Sequence, residues 1–532
     1  MKDNLFVIAI GGTGMRCLES FVHLCAIGMF DDKVINILTL DTDQTNGNKE
    51  RVETLINLYN RVRSDNPDER KETDDKTSRK TFFSAKLNLY CFYTSYGKNS
   101  ENTYQSITGV QDSDKDENFI LSNLFFEKNS VQKFDLSRGY RAQTHLGSML
   151  MYHGIVDAER KYITNKENAA TQEKALGEYI ARLYRSEKAR VFVFGSIFGG
   201  TGASSIPVIP AALRDAVALN NAKLDTEKIK FGSTLLTEYF TFPSPDEKQM
   251  KEEKNIIANA AYFPINSQAA LQFYQQDPTV KKFYRRLYHV GWPLESKSLS
   301  PKATNVEGNG QKVITGGRDQ KNNCHVVEMM CAAAAYDFFK DDTDLSNAEA
   351  YYLYRSVSSS NNGVLDFWAN DFVGPDADSL YSKIKGFLYL SHMIPFTGTK
   401  GLINHMTKQG VDDYKDIPDE QCKEFDDYLK KYAYNFDNGS IEYGWLYQVR
   451  NTVNGSFLFE NDMFEENKNE LEKRWLKGGL LSSSMFDKFV DLLVKTPHDE
   501  SEQKTSNKKE ELIARLYKSI MIFMEQNDKK KK

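Results

Sequence analysis

Two short runs in the 532-residue chain combine residue types that suit phosphate binding: Gly11-Gly12-Thr13-Gly14 and Gly199-Gly200-Thr201-Gly202. Each follows an apolar, β-branched or aromatic run (Leu5 to Ile10; Val191 to Phe194) and opens a segment with helical spacing. Glycine lets the backbone come within hydrogen-bonding distance of an anion, and a helix N-terminus supplies unpaired N–H groups with partial positive charge. One such turn is equally a tight strand-to-helix corner. Two of them, both at the carboxyl ends of predicted strands, point to a ligand carrying phosphate. The dinucleotide pattern G-x-G-x-x-G fails, because Thr13 or Cys17 falls where glycine is required. No lysine follows either run, so the Walker pattern fails as well.

Little else in the sequence suggests metal or redox chemistry. The six cysteines are scattered without C-x-x-C spacing, and the eight histidines form no H-E-x-x-H pair. This usage fits a reducing cytoplasm. A formal net charge of −5 provides no global basic field for nucleic acid. Hydrophobic residues make up 40% and charged ones 27%, and no apolar run approaches the roughly 20 residues that span a bilayer. A soluble protein without a membrane span is expected, its N-terminal apolar run being a first strand and not a signal. The terminal Asn-Asp-Lys-Lys-Lys-Lys is a solvated tail or a contact for an acidic partner.

The order of elements indicates how these residues are positioned. Strand, glycine turn, helix and a second buried strand (Val34 to Leu40) make a βαβ unit, the seed of a parallel sheet. Residues of about 48–130 are polar and charge-rich and read as an insertion of helix and surface segments, with Lys86 to Thr94 a candidate strand. Beyond the second glycine run, a helix over about 204–218, a strand from Lys228, a helix over about 252–275 and a strand near Arg286 continue the alternation. The segment Asn322 to Phe339 carries four consecutive alanines and few polar residues, as expected of a buried central helix. After residue 375 the periodicity is largely helical. The expected architecture is α/β: a parallel-sheet nucleotide-binding domain over 1–340, a linker or acidic loop region over 341–375, and a mostly α-helical C-terminal domain over 376–532. No internal repeat is evident.

In chain order, the "GGTG" after the first strand, "DTDQTN" after the second, the basic glycine loop "SRGYRAQTHLG" and the later "GGTGAS" resemble the tubulin/FtsZ superfamily. The resemblance covers roughly residues 1–340. The pattern is more similar to the uncharacterised bacterial tubulin-like proteins than to tubulin or FtsZ proper. That family binds the diphosphate portion of GTP through G-G-G-T-G-[ST]-G without a P-loop lysine. The resemblance implies that Gly11, Gly12, Thr13 and Gly14 lie beside the α- and β-phosphates, and that Gly199, Gly200, Thr201, Gly202 and Ser204 form the signature loop and add N–H donors. It places Asp41, Thr42, Asp43 and Gln44 near the γ-phosphate and a magnesium ion, with Asp43 the metal contact and Asp41 replacing the usual asparagine. Gly139, Arg141 and Gly147 fall in a loop that closes over the γ-phosphate. Phe198 stands where the first signature glycine belongs, so the loop should bend differently and Phe198 should pack beneath it. Ala203-Ser204 replaces the [ST]-G ending.

By the same resemblance Asn322 and Asn323 are candidates for reading the guanine edge, which needs both donor and acceptor; helix capping is the competing role. Glu238 faces either ribose or solvent. Hydrolysis in the family requires an acidic loop entering the next subunit's site in a head-to-tail filament. No clean copy exists here: Asp341, Asp342 and Asp344 are candidates, and Asp366 and Asp371 sit in the context most like the family's. The implied protein is a GTP-binding, magnesium-dependent filament former with a partner-binding helical region. The alternatives are a nucleotide-binding structural or sensor protein with slow or absent turnover, and a Rossmann-type oxidoreductase with Asp41 or Asp43 on a ribose. The failed dinucleotide pattern and the second "GGTG" count against the last.

Overall fold

The computed structural model describes residues 4–31, 33–63, 80–94, 103–105, 117–126, 140, 144–225, 229–240, 260–292, 318, 320, 322–340, 351–355, 358–359, 365–366, 373–437, 440–451, 484–496 and 507–531. Seven strands form one sheet: β1 Asn4–Ile10, β2 Val34–Asp41, β3 Lys86–Tyr93, β4 Ala189–Phe194, β5 Lys230–Leu236, β6 Tyr284–Val290 and β7 Tyr351–Arg355. Their order is β3-β2-β1-β4-β5-β6-β7 and every neighbouring pair is parallel. Parallel sheets are covered on both faces, so their strands are apolar at consecutive positions. In β1, Leu5, Val7 and Ala9 enter one core while Phe6, Ile8 and Ile10 enter the other.

Helices α1 (Gly11–Ala26) and α2 (Gly47–Arg63) carry the chain outward from β1 to β3 on the first face. The return passes through α3 (Glu117–Phe125), α4 (Thr144–Thr164) and α5 (Thr171–Arg185) to β4, which pairs with β1 on its other side. From β4 the chain continues through α6 (Thr201–Ser205) and α7 (Ile209–Ala218), then α8 (Phe263–Gln276) and α9 (Pro278–Phe283), on the second face. The strand order therefore reverses between β1 and β4, and both glycine runs leave the sheet at that reversal. This is where open α/β sheets take their ligands.

Helix α10 (Val326–Lys340) joins β6 to β7 but lies on the first face, against α1. Since the chain still moves in the same direction across the sheet, this crossover has the opposite hand to the three before it, against the usual right-handed preference. The apolar surface of α10 accounts for its placement: Ala332, Ala333, Ala334 and Ala335 are all buried, and every residue from Val326 to Tyr336 is enclosed. A surface crossover would leave one side of it in water. Gly232 on β5 makes room for it, as an added Cβ there would stand 2.8 Å from the Phe338 ring.

The C-terminal helices α11 (Ala377–Lys408), α12 (Asp419–Tyr432), α13 (Trp445–Asn451), α14 (Met485–Lys495) and α15 (Lys508–Lys531) form a further layer on the first face. They share one apolar core with α1, α2 and α10. Trp445 stacks on His23 of α1 at 4.8 Å between ring centroids and donates from Nε1 to Ser20 Oγ at 2.8 Å. Phe387 packs on Phe82 at 4.8 Å, and Tyr428 on Phe83 at the same separation. The composition shift near 345–375 thus marks a change of secondary structure and not an edge of the core. Burial drives the His23 imidazole down to about 3, so it is neutral at ordinary pH.

Several expectations are refined. The stretch of about 48–130 supplies α2 and the edge strand β3, both integral to the sheet layer. The single helix expected over 204–218 is two helices, with Pro207 and Pro210 at the break. The central helix begins at Val326, four residues after Asn322. The helix expected from 252 is described only from Phe263, and the run from Phe464 to Leu476 lies outside the described residues. Strand β7 was not anticipated.

The packing of α10 on β5 is testable at Gly232. Gly232→Ala should lower unfolding free energy by about 1–3 kcal/mol, because the Phe338 ring must leave its rotamer well. Urea denaturation should show a lower midpoint with an unchanged slope; an unchanged midpoint contradicts this contact.

Candidate functional site

Parallel pairing of β1 with β4, with Ala9 opposite Phe194, delivers both glycine runs to the same edge of the sheet. Helix α1 starts at Gly11 itself, whose φ of +64° strongly favours glycine. A Cβ added at Gly11 would stand 3.2 Å from the Cβ of Thr201, the first residue of α6. The two corners therefore abut. No side chain caps α1, its N-cap being the apolar Ile10, and no acidic residue lies in its first turn. Its leading N–H groups keep the partial positive charge that attracts an anion.

The glycines divide into two roles. Gly12, Thr13, Gly199, Gly200 and Thr201 are half-buried and form the accessible tips. Gly14 and Gly202 are buried, and an added Cβ would approach Phe194 O to 2.6 Å and Ser196 O to 2.4 Å respectively. These two let helices close on strand backbone. The tips, not the whole runs, are what a ligand can reach.

The loop after β2 forms a second wall. Asp41 Oδ1 accepts from the N–H of Thr42 (2.7 Å) and of Asp43 (3.2 Å), and Oδ2 accepts from Asn46 Nδ2 at 2.9 Å. Both carboxylate oxygens of Asp41 are thus engaged within the loop. Asp43 Oδ1 accepts from the N–H and the hydroxyl of Thr45, each at 2.9 Å, while Gln44 is exposed. Asn46 leans over the first corner, with Nδ2 3.2 Å from where a Gly12 Cβ would be. Burial, reinforced by the neighbouring Asp43, raises the Asp41 carboxyl to about 7.

A third wall precedes α10. An added Cβ at Gly47 would stand 2.3 Å from Arg318 O and 3.0 Å from Gln320 O, so this segment rests on the start of α2. The Gln320 amide covers Gly12, with Oε1 2.9 Å from the Cβ position there. Arg51 donates from Nη1 to Asn322 O at 2.9 Å, Arg16 donates to Asn323 O, and Cys324 N–H donates to Gln448 Oε1 of α13 at 2.9 Å. Three helices therefore hold residues 322–324. Arg16 Nε pairs with Glu328 Oε1 at 2.5 Å, which also accepts from Tyr239 Oη at 2.7 Å; Arg51 pairs with Glu19. Capping of α10 falls to His325, whose Nδ1 accepts from Val327 N–H at 3.2 Å, while Glu328 Oε2 accepts from His325 N–H at 3.0 Å. Asn322 and Asn323 thus lie ahead of the helix at the third wall, their backbone carbonyls bound by arginines.

Other expected site residues are arranged differently. Ser204 is buried; its hydroxyl donates to Thr201 O at 3.0 Å and its N–H to Gly200 O at 3.1 Å, so it adds no donor to the cleft. Gly147 is a packing glycine, as an added Cβ would meet Tyr140 at 2.4 Å and Ser204 Oγ at 2.7 Å. Phe198 packs beneath its loop against Phe263 (4.8 Å) and Phe240 (5.4 Å), as its size suggested. Glu238 Oε2 accepts from Ser267 Oγ at 2.5 Å, tying it to α8. Asp366 ends a two-residue strand, β9 (Leu365–Asp366), paired with β8 (Ser358–Ser359). Gly139, Arg141, Asp341, Asp342, Asp344 and Asp371 lie outside the described residues. Sequence reasoning missed Gln320, Arg16 and Arg51, because no spacing rule singles them out.

Among the described residues no group of three or more His, Cys, Asp or Glu side chains is arranged to hold a metal. A nucleotide-borne magnesium ion takes most of its ligands from phosphate and water and needs only one or two carboxylates, a number that Asp43 meets. No helix among the described residues is long and apolar enough to cross a membrane. No protein-family model matches the chain, and no curated protein sequence matches it significantly.

The raised Asp41 carboxyl implies a pH-dependent stability. With a folded value of about 7 against an ordinary value of 3.8, the folded state holds a proton that the unfolded state has released. The stabilisation is complete below pH of about 4 and is lost as pH rises to about 7. Relative to Asp41→Asn, wild-type unfolding free energy should fall with pH across that window by up to about 1.4 kcal/mol per unit, then level off. Urea titrations at half-unit steps measure it, and a pH-independent difference contradicts the burial of Asp41.

Proposed function

We propose that the chain is a tubulin/FtsZ-like GTP-binding protein that self-assembles head to tail and hydrolyses GTP at subunit contacts. The observation that carries this reading is the abutment of the two glycine corners at the strand-order reversal, with 3.2 Å between the Gly11 Cβ position and Thr201 Cβ. Two bare corners beside an uncapped helix start suit a polyphosphate, which spreads charge over more atoms than one N-terminus can serve. The absence of a Walker lysine is in keeping with a family that uses backbone donors alone.

In this reading Gly12, Thr13, Gly199, Gly200 and Thr201 hold the phosphates, and Gly11 shapes the turn that presents them. Asp43 would contact a magnesium ion, which when bound would neutralise charge at the phosphates. Asp41 orders the loop that carries Asp43, a role its hydrogen bonds to Thr42, Asp43 and Asn46 support. Asn322 and Asn323 are the proposed readers of the base, their backbone carbonyls bound by Arg51 and Arg16 respectively. Asp366 and Asp371 are the acids proposed to orient water in the neighbouring subunit's site, which makes turnover conditional on a heterologous, open assembly. The C-terminal helical layer is the proposed surface for a protein partner, and the cytoplasm the proposed compartment.

Incubation of the purified chain with GTP, a slowly hydrolysed GTP analogue and NAD, each with magnesium, tests the proposal through bound nucleotide, sedimented polymer and released phosphate. Polymer with phosphate release is the expected result. Binding without release would indicate a nucleotide-dependent structural protein, and retention of NAD alone would overturn the GTP reading. Gly200→Trp, which fills an accessible tip of the corner, should lower GTP affinity by at least about a hundredfold while leaving the melting temperature within about 3 °C.

A further inference from the structure

We propose that Gln320 determines nucleotide specificity by accepting a hydrogen bond from a ribose hydroxyl. The proposal rests on the GTP reading above and adds a residue that neither the glycine runs nor the acidic loop contains. Gln320 Oε1 is buried and accepts no hydrogen bond from any described residue. It stands 2.9 Å, and Nε2 3.2 Å, from the point a Gly12 Cβ would occupy, so the amide faces the accessible tip of the first corner.

A second amide faces the same tip, but its carbonyl oxygen already accepts two hydrogen bonds. Asn46 Nδ2 donates to Asp41 Oδ2, while its Oδ1 accepts from the N–H of Asn48 at 2.9 Å and of Lys49 at 3.3 Å. Of the two amides, Gln320 is the one whose oxygen accepts no hydrogen bond from a described residue. Its backbone cannot sink away from the corner, because Gly47 lies directly beneath Arg318 O and Gln320 O, and Arg51 holds Asn322 O two residues later.

The chemistry of the unmet atom selects the ligand group. A buried acceptor left without a donor is unfavourable, and a phosphate oxygen at neutral pH brings no hydrogen to meet it. The phosphates belong with the N–H donors of the glycine corners. Gln320 lies against Gly12 and precedes Asn322 by two residues in the chain, so a nucleotide with phosphate at the corner and base toward Asn322 would carry its sugar past Gln320. A sugar hydroxyl supplies the hydrogen that Oε1 lacks.

Full-length wild type, Gln320→Leu and Gln320→Met are titrated calorimetrically with GTP, 2′-deoxyGTP and 3′-deoxyGTP. Wild type should bind one of the deoxy analogues about tenfold more weakly than GTP. Both variants should bind GTP at the level of that analogue and lose the discrimination. Two apolar replacements of similar length keep the outcome interpretable if one fails to fold, and melting curves identify such a failure. Variants that discriminate as wild type does, or a wild type that binds all three equally, would overturn the role of Gln320 while leaving GTP binding intact. A wild type that binds no GTP would instead overturn the GTP reading and this inference with it.

Discussion

The lateral pairing of β1 with β4 is the constraint on which the candidate site depends. The two strands are separated by about 180 residues of chain, yet their register sets Ala9 beside Phe194 and so brings two main-chain corners to one point. Doubly wound sheets contain one such reversal in strand order, and the crevice there is open because neighbouring connections leave toward opposite faces. Here α1 departs to one face and α6 and α7 to the other. Gly11 and Thr201 meet across that divergence, where a Cβ at Gly11 would press on the Thr201 side chain at 3.2 Å.

The polar groups behind the corners are the second organising feature. Arg16 and Glu328 are buried, and each finds additional partners: Asn323 O for the arginine, Tyr239 Oη and His325 N–H for the carboxylate. Burial pushes the Glu328 carboxyl upward against the pull of Arg16. A buried pair of this kind contributes little net stability compared with apolar packing, but the loss of one partner is expensive. Its consequence is geometric: α1 and α10 are fixed in relation to each other, and the segment carrying Gln320, Asn322 and Asn323 is held near the corner.

The alternation that makes the sheet was legible in the sequence because its signals are local: apolar runs such as Leu5 to Ile10, a glycine turn, then helical spacing. The meeting of the two glycine runs was inferred from resemblance, and the coordinates supply its geometry. The division of labour among the glycines was not legible. A glycine admits a ligand or a neighbouring backbone by the same lack of a side chain, so Gly14 and Gly12 look alike until Phe194 O is found beside the first. Strand β7 was hidden by its short length and polar flanks. Gln320 and the arginines Arg16 and Arg51 escaped notice because their roles arise from contacts of residues far apart in the chain. The C-terminal periodicity shows which helix faces are apolar but not what they cover.

Helix α1 runs from the glycine corner into the middle of the molecule, with the sheet on one side and Trp445, Tyr428 and Tyr432 around His23 on the other. It is gripped along both flanks, so it behaves as a stiff strut instead of a freely floating rod. Gly11 at its start and Ser20, which accepts from the Trp445 indole, belong to this one doubly packed helix. The outer helical layer and the first glycine corner are thereby joined through one packed helix.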